Sequence, residues 1–239
     1  ITRGEGEGTL TAAIVNGRER IEPSRVVVEG RELVLGFDVY DSEIRAEVEG
    51  DALVGRWVHT MPGGPETLEF AARRGEQPRF VAKVEPPAHA VPASIDGDWS
   101  AVFTTPDGFT FAAQGVLASV GERVEATFLT DTGDFRWLDG RYEAGRLELS
   151  CFDGAHAFLL RADVDASGAL QGGFWAMGGM HATWRATKMA AGDEGPLADP
   201  TAVVALSPEA ADGRFEFAFP DLQGDLVTHD DPRFAGKVV

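Results

Sequence analysis

Residues 124–128 read Val-Glu-Ala-Thr-Phe, so apolar and polar side chains alternate along this stretch. Alternation with a period of two places apolar side chains on one face of a β-strand and polar side chains on the other. Residues 33–37 and 147–151 follow a similar pattern, and short turns such as Asn16-Gly17 and Asp139-Gly140 separate the runs. Short strands joined by Gly or Asp turns are typical of antiparallel meanders. The sequence therefore predicts an all-β fold.

The alternating runs occur twice, in the same order and with similar spacing. Residues 33–37, 44–46 and 53–57 have counterparts at residues 147–153, 160–162 and 170–174. A repeat on this scale indicates two copies of one antiparallel β unit. We assign the copies to residues 1–75 and 97–189. They could close separately, or join as two halves of one lipocalin-like barrel or sandwich, and the sequence favours neither arrangement.

Composition predicts two linkers between these regions. Residues 76–96 contain four prolines, which suit an extended connector, and residues 190–213 are rich in Ala, Gly, Asp and Pro. A short helical turn is predicted near residues 208–211. The remaining residues, 214–239, differ in character and form a separate segment.

Charge and cysteine content exclude several classes of function. The net charge of −18 argues against nucleic acid and anionic membrane surfaces as partners, because both attract basic patches. No apolar run reaches the ~18 residues that a membrane-spanning helix needs. The one cysteine, Cys151, excludes a disulfide or a Cys-x-x-Cys redox pair within the chain. Its place in an apolar phase predicts a small buried side chain.

The chain begins with Ile1 rather than Met and closes on Gly-Lys-Val-Val, which reads as a strand just starting. We expect both ends to be truncated. A signal peptide or lipid anchor would then lie outside the sequence.

The second copy carries the most pointed set of polar side chains. If the strands pack as predicted, this set forms a ligand site in a barrel mouth, with Trp137 and Trp175 as further apolar walls. The set comprises Asp153, His156, His181 and Trp184. The alternative is that the two histidines bind backbone groups and fix strand corners. The first copy has Tyr40-Asp41-Ser42 near the equivalent position and no histidine, so any such site belongs to the second copy.

Other chemistries find little support in the sequence. The five histidines are scattered without metal-binding spacing, so we predict no metal site and no cofactor. The Gly-Gly pairs at residues 172–173 and 178–179 precede no helix and no Gly-Lys-Ser/Thr, so they read as turns rather than phosphate loops. Carboxylate pairs for glycoside hydrolysis remain open, because the acidic residues are numerous.

The last segment resembles a known family. Residues 215–227 read Phe-Glu-Phe-Ala-Phe-Pro-Asp-Leu-Gln-Gly-Asp-Leu-Val, and residues 236–239 read Gly-Lys-Val-Val. The two together resemble the opening hairpin and following strand of TlpA-type and ResA-type redoxins, which are thioredoxin-like. Residues 97–99, 127–136, 152–158 and 181–184 also resemble the β domain that precedes the redoxin domain in some members.

The resemblance implies that residues 214–239 begin a thioredoxin-like domain and that the parent protein performs thiol–disulfide exchange on a protein disulfide substrate. It also implies a periplasmic or other extracytoplasmic location. In that family the catalytic Cys-x-x-Cys follows the Gly-Lys-Val-Val strand, so no catalytic residue carries over to this chain. The other hypothesis, from a different class, is a non-enzymatic lipocalin-like module that binds a small ligand.

Overall fold

A computed structural model describes residues 1–3, 10–80, 84–198 and 217–235 of the protein. The chain divides into two compact units, Ile1–Ala198 and Asp199–Val239, each of which is described by itself. The prediction of an all-β fold is confirmed. Helical structure in the described ranges consists of single 3-10 turns at Asp38–Tyr40, Met177–Gly179 and Pro232–Phe234. None of these turns has the length or apolar character to cross a membrane.

The N-terminal region forms two short hairpins and an open sheet. The hairpins are β1 (Thr2–Arg3) with β2 (Leu10–Thr11), and β3 (Ile14–Asn16) with β4 (Glu19–Ile21). The sheet consists of β5 (Arg25–Glu29), β6 (Glu32–Phe37), β7 (Ser42–Glu49), β8 (Ala52–His59) and β9 (Glu66–Arg73). Its strands pair antiparallel in chain order, and β5 and β9 are its two edges. Leu33, Leu35 and Phe37 supply its buried face, as their alternation predicts.

The second region is a closed antiparallel barrel of eight strands. The chain forms β10 (Gly97–Thr104), β11 (Thr110–Val120), β12 (Arg123–Thr130), β13 (Gly133–Asp134), β14 (Leu138–Glu143), β15 (Arg146–Phe152), β16 (Ala157–Val164), β17 (Leu170–Trp175) and β18 (His181–Lys188). Each long strand pairs with the next, and the two-residue β13 adds only to β12. The barrel closes where β18 pairs with β10, from Trp99 opposite Lys188 to Thr104 opposite Thr183.

Large aromatic side chains fill this barrel. Trp99, Phe103, Phe128, Phe174 and Trp184 are each at most 2 % exposed. The Phe103 ring stacks on Trp184 with 5.8 Å between ring centroids and meets Phe128 edge-on at 5.7 Å. Eight strands enclose a space just wide enough for side chains to fill. The barrel interior is therefore a packed core.

The outer wall of the barrel carries buried carboxylates. Glu125 and Asp139 are only 6 % and 1 % exposed. Arg123 pairs with them at 2.8 and 3.5 Å, and Arg79 donates to Asp139 Oδ1 at 2.5 Å. Gly17, in the turn between β3 and β4, packs against the Asp139 carboxylate. Its φ is +62°, and a Cβ at this position would lie 2.0 Å from a carboxylate oxygen. Only glycine fits this turn, which shields the wall from solvent.

Residues 84–96 lie against one end of the barrel. They form no regular secondary structure, yet Ile95 is fully buried. The Trp99 indole donates to the Ile95 carbonyl at 2.8 Å, and the Tyr142 hydroxyl donates to the Pro92 carbonyl at 2.9 Å. This segment therefore closes the end of the barrel at which β10 begins.

The open sheet and the barrel meet at Gly154, in the turn between β15 and β16. Its carbonyl accepts hydrogen bonds from the Trp57 indole at 2.9 Å and from the Ser42 hydroxyl. Phe37 packs directly on the Gly154 backbone and contacts the Phe152 ring edge-on at 5.8 Å. Hydrogen bonds and packing at this peptide group therefore hold the two sheets against each other.

The two sheets share features of strand pairing. The corresponding pairs are Ile44–Trp57 and Ala46–Gly55 in the open sheet, and Leu160–Phe174 and Ala162–Gly172 in the barrel. In each sheet the glycine packs against the neighbouring strand so closely that a Cβ would lie under 2 Å from a backbone carbonyl oxygen. The sheets differ in closure, because β18 returns to β10 whereas β9 pairs only with β8.

The described part of the second unit is a small hairpin of β19 (Ala218–Pro220) and β20 (Leu226–Thr228). Asp221 organises its turn. The Asp221 carboxylate accepts the backbone N–H groups of Gln223 and Asp225, both at 2.9 Å. The strand predicted at residues 236–239 and the helical turn predicted near residues 208–211 lie outside the described residues.

Replacing Gly154 with alanine should destabilise the protein strongly. Gly154 has a φ of +102°, and a Cβ would lie 2.8 Å from the Phe37 ring. We expect a loss of about 2–6 kcal/mol in the free energy of unfolding. Strained backbone contributes about 1–3 kcal/mol and overpacking contributes about 1–3 kcal/mol. Urea denaturation of Gly154→Ala measures the loss.

Gly168 provides the matched control. Its φ is +86°, but nothing lies within 4 Å of the position its Cβ would take. Gly168→Ala should therefore show only the backbone cost of about 1–3 kcal/mol. Equal losses for the two variants would contradict the role of Gly154 as the joint between the sheets.

Candidate functional site

The structure places the four predicted site residues in three different environments. Asp153 and His156 share the turn between β15 and β16, His181 lies on the outer surface, and Trp184 lies inside the barrel core. Only Asp153 and His156 therefore come together.

Asp153 organises its turn from a buried position. Its side chain is 2 % exposed, and its Oδ1 accepts the backbone N–H groups of Ala155 at 2.8 Å and His156 at 2.5 Å. Its Oδ2 lies 2.9 Å from His156 Nδ1 and 3.0 Å from Arg136 Nε. The Asp153 carboxylate is thus fully engaged in hydrogen bonds and ion pairs.

Arg136 links this turn to the N-terminal hairpin. It adopts a left-handed backbone conformation with a φ of +55°, and its N–H donates to Asp134 Oδ1 at 2.6 Å. Its guanidinium bridges Asp153 and Glu19, the latter at 3.3 Å. Non-glycine residues are uncommon in this conformation, so the surrounding ion pairs hold it in place.

The balance of forces on Asp153 favours the charged form. Burial by itself raises the pKa of this carboxyl, but the hydrogen bonds from the backbone N–H and ring of His156 and from the Ala155 N–H outweigh it. The net pKa lies below the ordinary value for aspartate. Asp153 therefore stays ionised and holds the His156 ring, which is about half exposed and meets Tyr40 edge-on at 6.4 Å.

His181 and Trp184 have separate roles. The His181 ring stacks on Trp175 with 5.2 Å between ring centroids, on the outside of the barrel. Trp184 is 2 % exposed, and its indole donates to the carbonyls of Gly173 at 3.1 Å and Arg161 at 3.2 Å. Trp137, the other predicted wall residue, lies under the Arg18 guanidinium at 4.5 Å. These aromatic residues do not line one common cavity.

Cys151 is buried, as its sequence phase predicts. It is 5 % exposed within the barrel core, and burial raises the pKa of its thiol to about 12. Because the thiolate is the reactive form, this thiol is poorly suited to nucleophilic or redox chemistry. Within the described ranges, no three His, Cys, Asp or Glu side chains are grouped so that they could hold a metal ion.

The open sheet provides a cavity that the sequence reading missed. A cleft of about 640 Å³ lies at the end of this sheet that is remote from Gly154. Apolar side chains dominate its lining. They are Ile1, Leu10, Ala12, Ala13, Ile14, Val28, Leu33, Leu35, Val48, Ala52, Leu53, Phe70 and Ala72. Its charged lining residues are Asp51, Arg73 and Arg74.

Buried core side chains form the floor of the cleft. Ala12, Leu33 and Leu35 are at most 8 % exposed and belong to the core of the N-terminal region, against which Leu53 and Phe70 pack. The Arg74 N–H donates to the Asp51 carbonyl at 2.8 Å, which ties the end of β9 to the turn between β7 and β8. The apolar phases of β6 and β9 were visible in the sequence, but their convergence on one cleft depends on long-range pairing.

Replacing Asp153 with asparagine should weaken the fold and flatten its acid dependence. Stability from a carboxyl with a lowered pKa is fully present above about pH 5 and is lost as the pH falls through the folded-state pKa. The wild type should therefore lose stability on acidification more steeply than Asp153→Asn. At pH 7 the variant should be less stable by about 1–3 kcal/mol, because Arg136 and His156 lose a charged partner. Urea denaturation across the acid range measures both effects.

Asp98→Asn serves as the control for this experiment. Asp98 is exposed on β10 of the same barrel. Its replacement should leave the acid dependence of the wild type unchanged. An Asp153→Asn profile parallel to that of the wild type would show that the turn gains nothing from the ionised carboxylate.

The apolar cleft and the Asp153–His156 turn are two arrangements of described residues with functional potential. The cleft offers a concave apolar cavity, and the turn offers an oriented imidazole. No known protein-family model matches the chain, and no curated protein matches it.

Proposed function

We propose that this chain is a non-enzymatic module that binds a small apolar ligand in the cleft of the open sheet. The carrying observation is a cleft of about 640 Å³ whose lining is mainly apolar. Pockets for small molecules typically measure about 300–1,000 Å³ and combine apolar walls with a few polar groups. The volume and the lining both fit that description.

The edge strands and the packed core of the open sheet both support this proposal. The sheet ends at β5 and β9, which do not pair with each other, and Val28 of β5 and Phe70 of β9 both line the cleft. Leu33 and Leu35 at the floor are each 3 % exposed, so the floor is preformed. A preformed apolar surface binds without a large ordering cost.

The barrel is the weaker candidate for the same role. Phe103, Phe128 and Phe174 occupy its centre and are at most 1 % exposed. Residues 84–96 cover one of its ends, and Phe135 stacks on Phe174 at 4.9 Å near the other. A ligand could enter only by displacing core side chains, which would forfeit their packing energy.

Filling the cleft should abolish binding of an apolar probe. Ala72 lines the cleft from β9, so Ala72→Trp should weaken binding of the neutral fluorophore N-phenyl-1-naphthylamine by at least about tenfold, a loss near 1.4 kcal/mol. The fluorescence increase on titration of the full chain measures the affinity.

The neighbouring residue supplies a matched control. Ala71 is exposed on the opposite face of the same strand, so Ala71→Trp adds the same side chain outside the cleft. It should leave the fluorophore affinity unchanged. Absence of binding to the wild type, or equal weakening by both substitutions, would refute the cleft as the binding site.

A related proposal is that the open sheet and the barrel are copies of one β unit. The matching ladder pairs and the closely packed Gly55 and Gly172 support it. On this proposal aromatic side chains fill the interior of the barrel copy, whereas the open copy retains a cavity. Only one of the two copies would then bind a ligand.

A second candidate function concerns the longer protein to which this chain would belong. The β19–β20 hairpin occupies the residues that resemble the opening hairpin of TlpA-type redoxins. That position supports the proposal that residues 214–239 begin a thioredoxin-like domain of an extracytoplasmic thiol–disulfide oxidoreductase. The binding module would then serve in recognition of a partner or ligand, or as a spacer.

This second candidate makes a direct prediction. The coding sequence should contain a Cys-x-x-Cys pair shortly after Val239, because the redox chemistry needs both thiols. A protein extended through that pair should reduce insulin disulfides, while the 239-residue chain should not. A stop codon or unrelated sequence after Val239 would eliminate the candidate, and insulin reduction by the shorter chain would contradict the account of its single buried thiol.

A further inference from the structure

Two arginines are among the residues that line the mouth of the cleft, Arg73 and Arg74. β9 ends at Arg73, and Arg74 follows it in the same phase as Phe70 and Ala72, which line the cleft. Among the described residues that line the cleft, Asp51 supplies the only carboxylate. Arg73 has the strand phase of Ala71, on the opposite face of β9, so Arg74 is the arginine whose phase matches the cleft lining.

Within the described ranges, two arginines of the same sheet are paired with carboxylates, whereas Arg74, like Arg56 on the exposed face of β8, is not. Arg25 pairs with Glu43 at 3.1 Å, and Arg45 pairs with Glu32 at 3.5 Å. Across the described residues of the chain, neither Arg73 nor Arg74 forms a side-chain hydrogen bond or an ion pair. Guanidinium groups bind carboxylates and phosphates through paired hydrogen bonds. The mouth therefore offers donors that suit an anion.

The cleft continues inward from these donors as an apolar slot. Phe70 and Arg74 are four residues apart, which corresponds to about 13 Å along a strand at ~3.3 Å per residue. Leu33, Leu35 and Leu53 line the same slot. A ligand that fills it needs a flexible apolar tail of medium length and a polar end at the mouth.

We propose that the ligand is a medium-chain amphiphile with an anionic head, of the fatty-acid type, whose head group binds Arg74. This inference rests on the proposed function of the cleft and adds the chemical class of the ligand. The tail gains free energy from burial, and the head gains from charge-assisted hydrogen bonds. Asp51 opposes the head group, so it limits the affinity.

Competition with the neutral fluorophore tests the inference on the full chain. Decanoate, decanol and decylamine share one tail and differ in head-group charge. Decanoate should displace the fluorophore at a concentration about tenfold lower than decanol, and decylamine should be the weakest competitor. All three are used below their micelle-forming concentrations, so that aggregates do not extract the fluorophore.

Three substitutions locate the head group. Arg74→Gln should weaken decanoate about tenfold and leave decanol unchanged. Asp51→Asn should strengthen decanoate. Arg56→Gln removes the same charge from an exposed position on β8 that does not line the cleft, and it should change neither competitor.

The outcomes separate this inference from the proposed function. Decanoate and decanol of equal potency, or equal weakening of both by Arg74→Gln, would overturn the anionic head while the apolar cleft stands. A cleft that binds neither the fluorophore nor any of the three competitors would overturn both. Selective displacement by decanoate that depends on Arg74 supports the inference.

Discussion

The arrangement of the first unit depends on one peptide carbonyl. Gly154 O accepts hydrogen bonds from the side chains of Ser42 and Trp57, and thus from two strands of the open sheet at once. A carbonyl oxygen has two lone pairs, so both donors are satisfied where they are buried. Because Gly154 has no side chain, Phe37 can pack on its backbone. The same turn holds Asp153, whose ion pair with Arg136 leads to the N-terminal hairpin. Polar satisfaction and packing therefore meet in one short segment.

The two sheets share antiparallel strand pairing but differ in closure. In the barrel, closure removes free edges, and aromatic side chains occupy the interior. In the open sheet, β5 and β9 do not meet, so the concave face is not filled from all sides. Both edge strands contribute side chains to the cleft. Its floor residues, such as Leu35, are ordinary core residues of a sheet.

Local patterns in the sequence predicted the strands, because period-two alternation reports which side chains share a face. They did not predict closure, since the pairing of β18 with β10 joins residues about 80 positions apart, a separation that no local signal encodes. Glu125 shows the same limit. Its polar phase puts it on the outer face, but its ion pair with Arg18 at 3.2 Å joins residues more than 100 positions apart.

The predicted site shows the same difference between local contacts and long-range contacts. Asp153 and His156 are three positions apart, and their contact is a property of one turn. Trp184 occupies an apolar phase between Ala182 and Ala186, so its alternation already pointed to the core. The cleft could not be predicted in this way, because its lining comes from several separate segments that only long-range strand pairing brings together.

The segment between the two sheets makes specific contacts with both of them. Ile95 plugs the base of the barrel, and Arg79 reaches across to Asp139 on its wall and to Asn16 in the N-terminal hairpin. A barrel that began at Gly97 would lack the buried Ile95 side chain at its base and the Arg79 partner of Asp139 on its outer wall. Residues upstream of Gly97 therefore complete both the base and the outer wall of the barrel.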